Sequence, residues 1–389
     1  MHLIIMLLLF TVFVGFGIII PIMPEIIESS GDPSLHLALL LSLYSAASFF
    51  MSPVWGKWSD RIGRRPIILI GLIGFSISFF LFGIADGNMT LMYTSRIIGG
   101  LFSGAVTACA VAYVADITTD DDRTKGMGLV GMSIGMGFVF GPAIGGLLSQ
   151  VNYSLPFFVS AGLSLVALLF TSIALPESLS VEKRSEKKDP KVSRWSAFAG
   201  SIKYLYVLSF LVSFTLAGLE TVFQLFQIKK IGVTSFQIGM MFLLSGIVGA
   251  LIQGGVVRKR IKKGGEMKAI GVGLVISATG FILLLFSSNA ITAAIYMSVF
   301  GAGNALIRPC VTSLITQKTT VGQGVATGLN SSMDSLGRIL GPLLGMAAYN
   351  LYMGLPFIIG AIVCVSALYL LVGFNKGEQR RNKLNVSAN

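Results

Sequence analysis

Residues 56–66 read GKWSDRIGRRP, and residues 67–85 read IILIGLIGFSISFFLFGIA. The second stretch carries no acidic or basic side chain over 19 residues. That is close to the roughly 20 residues a helix needs to cross a bilayer core of about 30 Å. The first stretch is a compact turn in which Lys57, Arg61, Arg64 and Arg65 surround one acid, Asp60, between Gly56 and Gly63. A basic turn feeding an uncharged run of this length predicts a membrane helix entered from a positively charged surface.

Working outward, runs of similar length and character recur at 3–24, 37–56, 67–85, 89–114, 127–150 and 155–175, and again at 204–228, 236–257, 269–288, 290–313, 324–349 and 354–374, twelve in all. Of the 389 residues 54% are hydrophobic and 12% charged, with a mean hydropathy of +0.81. A water-soluble fold has too little polar surface at that composition. The expectation is an all-α integral membrane protein with 12 transmembrane helices.

The net charge of +12 raises nucleic acid as a partner, and the distribution of the charges removes it. With the N-terminus in the cytoplasm, the even-numbered connections hold Lys57, Arg61, Arg64 and Arg65, then Arg123 and Lys125, then Lys183 to Arg194, then Arg258 to Lys268, then Lys318, and the tail adds Lys376, Arg380, Arg381 and Lys383. The opposite face has Lys229 and Lys230. This asymmetry predicts both termini in the cytoplasm of a cell whose inner, cytoplasmic membrane holds the protein. Cys109, Cys310 and Cys364 are far apart, inside apolar runs, and form no metal or redox spacing, so they read as small packing residues. The first run lacks a basic leader and a small-residue cleavage site, and it reads as a retained helix.

The polar stretch 177–201 separates six runs from six. The expected division is an N-terminal bundle at 1–176, a cytoplasmic linker at 177–201, a C-terminal bundle at 202–375 and a cytoplasmic tail at 376–389. A repeat at an offset of 200 supports it: Gly137, Gly141, Pro142 and Gly145 return as Gly337, Gly341, Pro342 and Gly345, and Leu155-Pro156-Phe157 returns as Leu355-Pro356-Phe357. Two pseudo-symmetric six-helix bundles place a substrate site at their interface and imply rocking between inward-open and outward-open states. One chain holding both halves is expected to work as a monomer.

The turn at 56–66 resembles the G-x-x-x-D-R-x-G-R-R/K signature of the major facilitator superfamily, residue by residue. The resemblance implies a conformational gate formed by Gly56, Asp60, Arg61, Gly63, Arg64 and Arg65. Asp116 and Arg123 also fit the family pattern, and a surface ion pair is the competing role. The corresponding loop of the second half, Gly254 to Lys268, reads as basic and without the matching acid, which makes any gate there degenerate. In the fifth run, Gly137, Gly141, Pro142, Gly145 and Gly146 form a groove for close helix approach. The same string resembles the motif that marks drug–proton antiporters, the 12-helix bacterial multidrug and tetracycline efflux pumps. Gly15 to Pro24 and Arg96 to Gly100 resemble further patterns of those pumps. Arg96 lies within a membrane run, where a charge costs on the order of 2.5–3.5 kcal/mol. The family implies a part in proton movement for it, and a structural Arg bonded to backbone carbonyls is the alternative.

Glu220 is the one acid between Asp189 and Glu266, and Ser213, Glu220, Gln224 and Gln227 fall on one helical face. A carboxylate on such a face can exchange a proton as its surroundings change, so Glu220 is the leading proton site and an anchor for cations, against a structural Glu bonded to a neighbouring helix. Asn330, Asp334 and Arg338 follow at i,i+4 spacing, as do Asn304 and Arg308. An Asp334–Arg338 pair along the helix is favoured, as a switch or as a purely structural contact. Multidrug pumps of the resembled family place a second acid just before the Arg-Pro pair at 308–309, where this chain has Ala305, and that departure shifts weight to Asp334. Phe16, Tyr44, Phe138 and Phe223, together with Gln224, Gln227, Asn304, Arg308 and Asn330, are candidate pocket residues by analogy with the fold, each aromatic also being explicable by packing or lipid contact.

No phosphate-cradling Walker pattern and no metal-ligand cluster occurs, and the two histidines, His2 and His36, fall at opposite faces. An enzyme and an ATP-driven pump are therefore disfavoured, no metal or cofactor is expected, and the proton gradient is the expected drive. The reading is a proton-coupled exporter, by H+ antiport, of small lipophilic drugs, often cationic or zwitterionic, in contact with membrane lipid. The alternative is a proton-coupled exporter of one metabolite such as a sugar, nucleoside or lipid precursor.

Overall fold

The computed structural model describes residues 2–27, 32–118, 123–179, 198, 200–257, 261, 264–319 and 323–387. Most of the 177–201 linker lies outside them, as do the side chains of the tail from residue 380 onward.

Among the described residues thirteen α-helices are formed: α1 His2–Ile18, α2 Met23–Ile26, α3 Pro33–Ile62, α4 Arg64–Gly83, α5 Met89–Ile117, α6 Arg123–Leu148, α7 Leu155–Ala174, α8 Lys203–Ile231, α9 Ser235–Leu251, α10 Glu266–Leu284, α11 Ala290–Lys318, α12 Gln323–Leu351 and α13 Leu355–Ser387. A π-helical turn, Ile252–Val257, continues α9. Among the described residues, ten helices are long and apolar enough to cross a membrane. The other two of the expected twelve spans are the first, whose helix α1 ends at Ile18 and passes through a turn into the short α2, and α12, which carries Asp334 and Arg338.

The helix boundaries follow from local chemistry. Asp32 caps α3 by accepting from the Leu35 amide at 3.1 Å, with Pro33 in the first turn, where a missing N–H is harmless. Asn88 caps α5 through the Leu91 amide at 3.2 Å. Asn289 and Thr292 form a reciprocal capping box at the start of α11. Gly63 separates α3 from α4 at φ 121°, a conformation open to glycine and poor for other residues.

The chain divides into two compact units, Met1–Lys188 with Gly232–Gly246, and Asp189–Ile231 with Ile247–Asn389. In the first, α1 packs on α6 and α7, and α4 packs on α5 and α7. In the second, α8 packs on α12 and α13, and α10 packs on α11 and α13. These four pairings are repeated between the units. The repeated glycines show why. A Cβ on Gly141 would lie 2.7 Å from Cα of Gly17, and one on Gly337 would lie 2.6 Å from the Phe214 amide nitrogen. Both positions need glycine because the backbones of α6 and α1, and of α12 and α8, touch. Phe157 and Phe357 of the repeated Leu-Pro-Phe are both buried, stacking on Phe82 at 4.4 Å and packing on Phe226 at 4.5 Å between ring centres.

Candidate functional site

The second unit gathers four charged side chains from three helices. Asp334 on α12 accepts with Oδ1 from the hydroxyls of Ser209 at 2.9 Å and Ser213 at 2.7 Å, both on α8. Its Oδ2 faces Nη2 of Arg308 on α11 at 3.8 Å. Glu220, two turns beyond Ser213 on α8 and half-buried, lies within electrostatic reach of Arg338 and Arg308. The four groups form an electroneutral set when both acids are ionised. The acid that the spacing tied to Arg338 along one helix is met from α11 by Arg308 and from α8 by two hydroxyls.

The polar stripe of α8 continues past Glu220. Nε2 of Gln224 donates to the Glu220 carbonyl at 3.1 Å, and Oε1 of Gln227 accepts from Ser287 at 3.0 Å. Oε1 of Gln224, Nε2 of Gln227 and Oδ1 of Asn330 are buried without a hydrogen-bond partner. Phe223, Gln224 and Gln227, grouped with the pocket by sequence, lie inside the helix packing of this unit with 0–1% exposure. Asn304 and Asn330 are buried one turn before Arg308 and Asp334 respectively.

The first unit holds the remaining candidates in two places. Phe16 of α1, Tyr44 of α3 and Phe138 of α6 meet, with ring centres 5.1 Å apart for Phe16–Tyr44 and 5.6 Å for Phe16–Phe138. All three are half-buried, which gives an aromatic surface suited to flat or cationic groups. Arg96 on α5 is 2% exposed, with its guanidinium 4.6 Å over the Phe82 ring. Its Nε and Nη2 are buried without hydrogen-bond partners among the described residues. The structural alternative of an Arg satisfied by backbone carbonyls is therefore not met at those two nitrogens.

The turn at 56–66 is built around Arg64, which is buried. It pairs with Asp60 at 2.8 Å and with Asp116 of α5 at 3.0 Å, and it donates to the Ser59 hydroxyl at 2.6 Å. Glu177 accepts from the backbone amides of Arg64 at 2.9 Å and Arg65 at 3.1 Å, capping α4. Arg65 donates to the Ser172 carbonyl. Arg61 is exposed, and a Cβ on Gly56 would meet nothing within 4 Å. The backbone of Arg123 opens α6, and its side chain lies outside the described residues, so Asp116 is seen with Arg64. The sequence reading missed Glu177 and Ser178, assigning them to the linker, although Pro176-Glu177-Ser178 directly after an apolar run was the available signal.

The loop of the second half, read as lacking the acid that matches Asp60, holds an acid at another position: Glu266, inside Gly254 to Lys268, is buried and accepts from the Gly264 amide at 2.6 Å and from Gln317 at 2.9 Å. Beside it Lys318 pairs with Glu378 of α13 at 2.7 Å, and Ser201 donates to the same carboxylate at 2.7 Å. The acids come from positions outside the repeat register, which is why the offset of 200 did not find them.

Two units with matching helix pairs, and ten helices among the described residues that are long and apolar enough to cross a membrane, mark a multi-pass membrane protein. The profile of the Major Facilitator Superfamily matches residues 5–342 and, in a second overlapping match, 268–388. Multidrug resistance protein 2 of Bacillus subtilis (strain 168) is 32% identical over 388 residues, covering 97% of this chain and 96% of that protein. Quinolone resistance protein NorA of Staphylococcus aureus (strain COL) is 28% identical over 368 residues, covering 94% of each. The crystal structure of the human organic anion transporter MFSD10 (TETRAN) matches with a TM-score of 0.75 at 24% identity, over 95% of this chain and 98% of that one, a likeness of fold alone. The chain belongs to the Major Facilitator Superfamily.

Proposed function

We propose that the chain exports small lipophilic drugs, often cationic or zwitterionic, in exchange for protons by alternating access. The observation that carries this reading is the Glu220, Arg308, Asp334 and Arg338 set. With Glu220 ionised the set is neutral and presents a carboxylate to a cation; with Glu220 protonated it holds one net positive charge and repels the cation. Proton and cationic drug then compete for one state of the site, which is the requirement for exchange. Within the first unit, Phe16, Tyr44 and Phe138 form an aromatic surface of the kind that suits flat or cationic compounds. The relatives named for multidrug and quinolone resistance support the substrate class. In this reading the functional halves are 1–176 and 202–375, joined by 177–201, both termini are cytoplasmic, and one chain in the lipid of the cell membrane suffices without a cofactor.

The test is transport of ethidium by the full chain in proteoliposomes with an imposed proton gradient, wild type against Glu220→Gln. Gradient-dependent uptake that the variant loses supports the proposal. Uptake indifferent to the gradient overturns it, and a response to one metabolite scaffold with none to unrelated drugs replaces the substrate class.

A further inference from the structure

Both carboxylates of the cluster are near arginines, yet their surroundings differ. Buried hydroxyls in helices ordinarily return their proton to the carbonyl one turn back, as Ser133, Thr215 and Thr221 do here. Ser209 and Ser213, one turn apart on α8, instead both donate to the same oxygen of Asp334. Both are buried, at 7% and 1% exposure. The geometry cannot easily relax, because a Cβ on Gly337 would lie 2.9 Å from Cβ of Ser213, so α12 is held against α8 at this level.

The remaining oxygen of Asp334 faces Arg308. All three neighbours are donors, and between them they face both carboxylate oxygens. A proton on Oδ1 would turn against the two hydroxyls and strand a buried donor, an expensive outcome, and one on Oδ2 would stand between the carboxyl and the Arg308 guanidinium. Glu220 is different. Both acids are partly exposed, but among the described residues no side chain donates a hydrogen bond to the Glu220 carboxylate as Ser209 and Ser213 do to Asp334, so a proton there strands nothing. The other charges facing the pair are Arg308 and Arg338; α9, residues 269–284 of α10 and residues 355–375 of α13 contain no charged residue.

We infer that Ser209 and Ser213 are positioning residues that dedicate Asp334 to Arg308 as a fixed counter-ion and thereby leave Glu220 as the carboxylate that exchanges its proton. The inference rests on the proton-coupled reading above, and it names which acid does the exchange and what prevents the other from doing so.

The test uses the full chain purified in detergent with ethidium as the probe, and follows two readouts as pH is varied: proton release on ethidium binding, and infrared difference spectra of protein carrying isotope-labelled aspartate. Wild type is expected to show one titration step and no ethidium-sensitive labelled aspartic-acid band. Ser209→Ala/Ser213→Ala is expected to add a second step, to raise release per ethidium by up to about twofold as two interacting sites come into play, and to gain a labelled band that Asp334→Asn removes. Ser209→Thr, which keeps the hydroxyl, is expected to behave as wild type, and Ser209→Ala alone gives an intermediate variant if the double one does not fold. An Asp334-dependent labelled band already present in wild type, or spectra unchanged by the alanine variants, overturns the inference. Ethidium-linked proton release that survives Glu220→Gln overturns both the coupling reading and the assignment to Glu220. Release lost in Glu220→Gln together with unchanged alanine variants overturns the positioning role alone.

Discussion

Arg64 joins α4 to α5 through Asp116, Nε to Oδ2 at 3.0 Å, although the two residues are 52 positions apart in sequence. The same guanidinium holds Asp60 at the end of α3, so one buried Arg ties three helices of the first unit at the level of the basic turn. Replacing Arg64 with Ala leaves two partly buried acids without it. The expected cost is about 2 kcal/mol, below the roughly 3–5 kcal/mol of a fully buried pair because both acids stay partly exposed. Thermal melting in detergent checks it: Arg64→Ala should melt clearly below wild type, while Arg61→Ala, at an exposed position, should not. Equal melting of the two variants would contradict the clamp.

The glycine seams give a second expectation. Gly141→Ala puts a methyl 2.7 Å from Cα of Gly17, with backbone rather than a flexible side chain in the way. Overpacking of this kind costs about 1–3 kcal/mol, and Gly341→Ala against the Phe214 carbonyl at 2.6 Å should behave alike. Gly56→Ala, with open space around it, is the control that should leave the melting temperature unchanged.

Arg96 predicts a split between stability and transport. A buried guanidinium with two unpartnered nitrogens is costly to keep, and replacing such a charge by an apolar residue of similar volume is often neutral or stabilising by about 1–4 kcal/mol. Arg96→Met should therefore melt no lower than wild type while losing most gradient-driven ethidium efflux. A variant that melts lower, or transports fully, would show that the Arg is there for packing against Phe82.

Asp32 provides a pH-dependent helix end outside the membrane spans. The Ser34 hydroxyl, with the Leu35 amide, holds its carboxyl below the ordinary value of 3.8. Because the folded value is the lower one, the cap's contribution is complete above the unfolded value and disappears as pH falls through the folded one. Protection factors for hydrogen exchange at the start of α3, taken relative to the intrinsic rate at each pH, should fall on acidification through that range in wild type. In Asp32→Asn, which caps without titrating, that fall should be absent.

The parts legible in the sequence were those encoded within one segment. Run length predicted twelve spans, ten of which are met among the described residues by helices long and apolar enough to cross a membrane, and the glycines marked by the offset of 200 lie where α6 and α12 approach a neighbouring helix closely. Spacing along a helix identifies neighbours on that helix only. It put Asp334 beside Arg338 and had no means of finding Ser209, Ser213 and Arg308, which reach Asp334 from other helices. Glu177, capping α4 from 112 or more residues away, and Glu378, meeting Lys318, were hidden for the same reason. Burial of Phe223, Gln224 and Gln227 likewise depends on which helices pack against α8, and a polar stripe alone does not distinguish a cavity wall from an interhelical contact.

The central claim is that Glu220 exchanges a proton for a drug. Ethidium-driven proton movement in proteoliposomes tests it most directly, comparing wild type with Glu220→Gln at matched protein density. The expected result is efflux reduced by about tenfold or more, equivalent to at least ~1.4 kcal/mol of lost coupling, with protein folding retained and binding of the ethidium cation weakened. Undiminished proton-coupled efflux by Glu220→Gln would contradict the account.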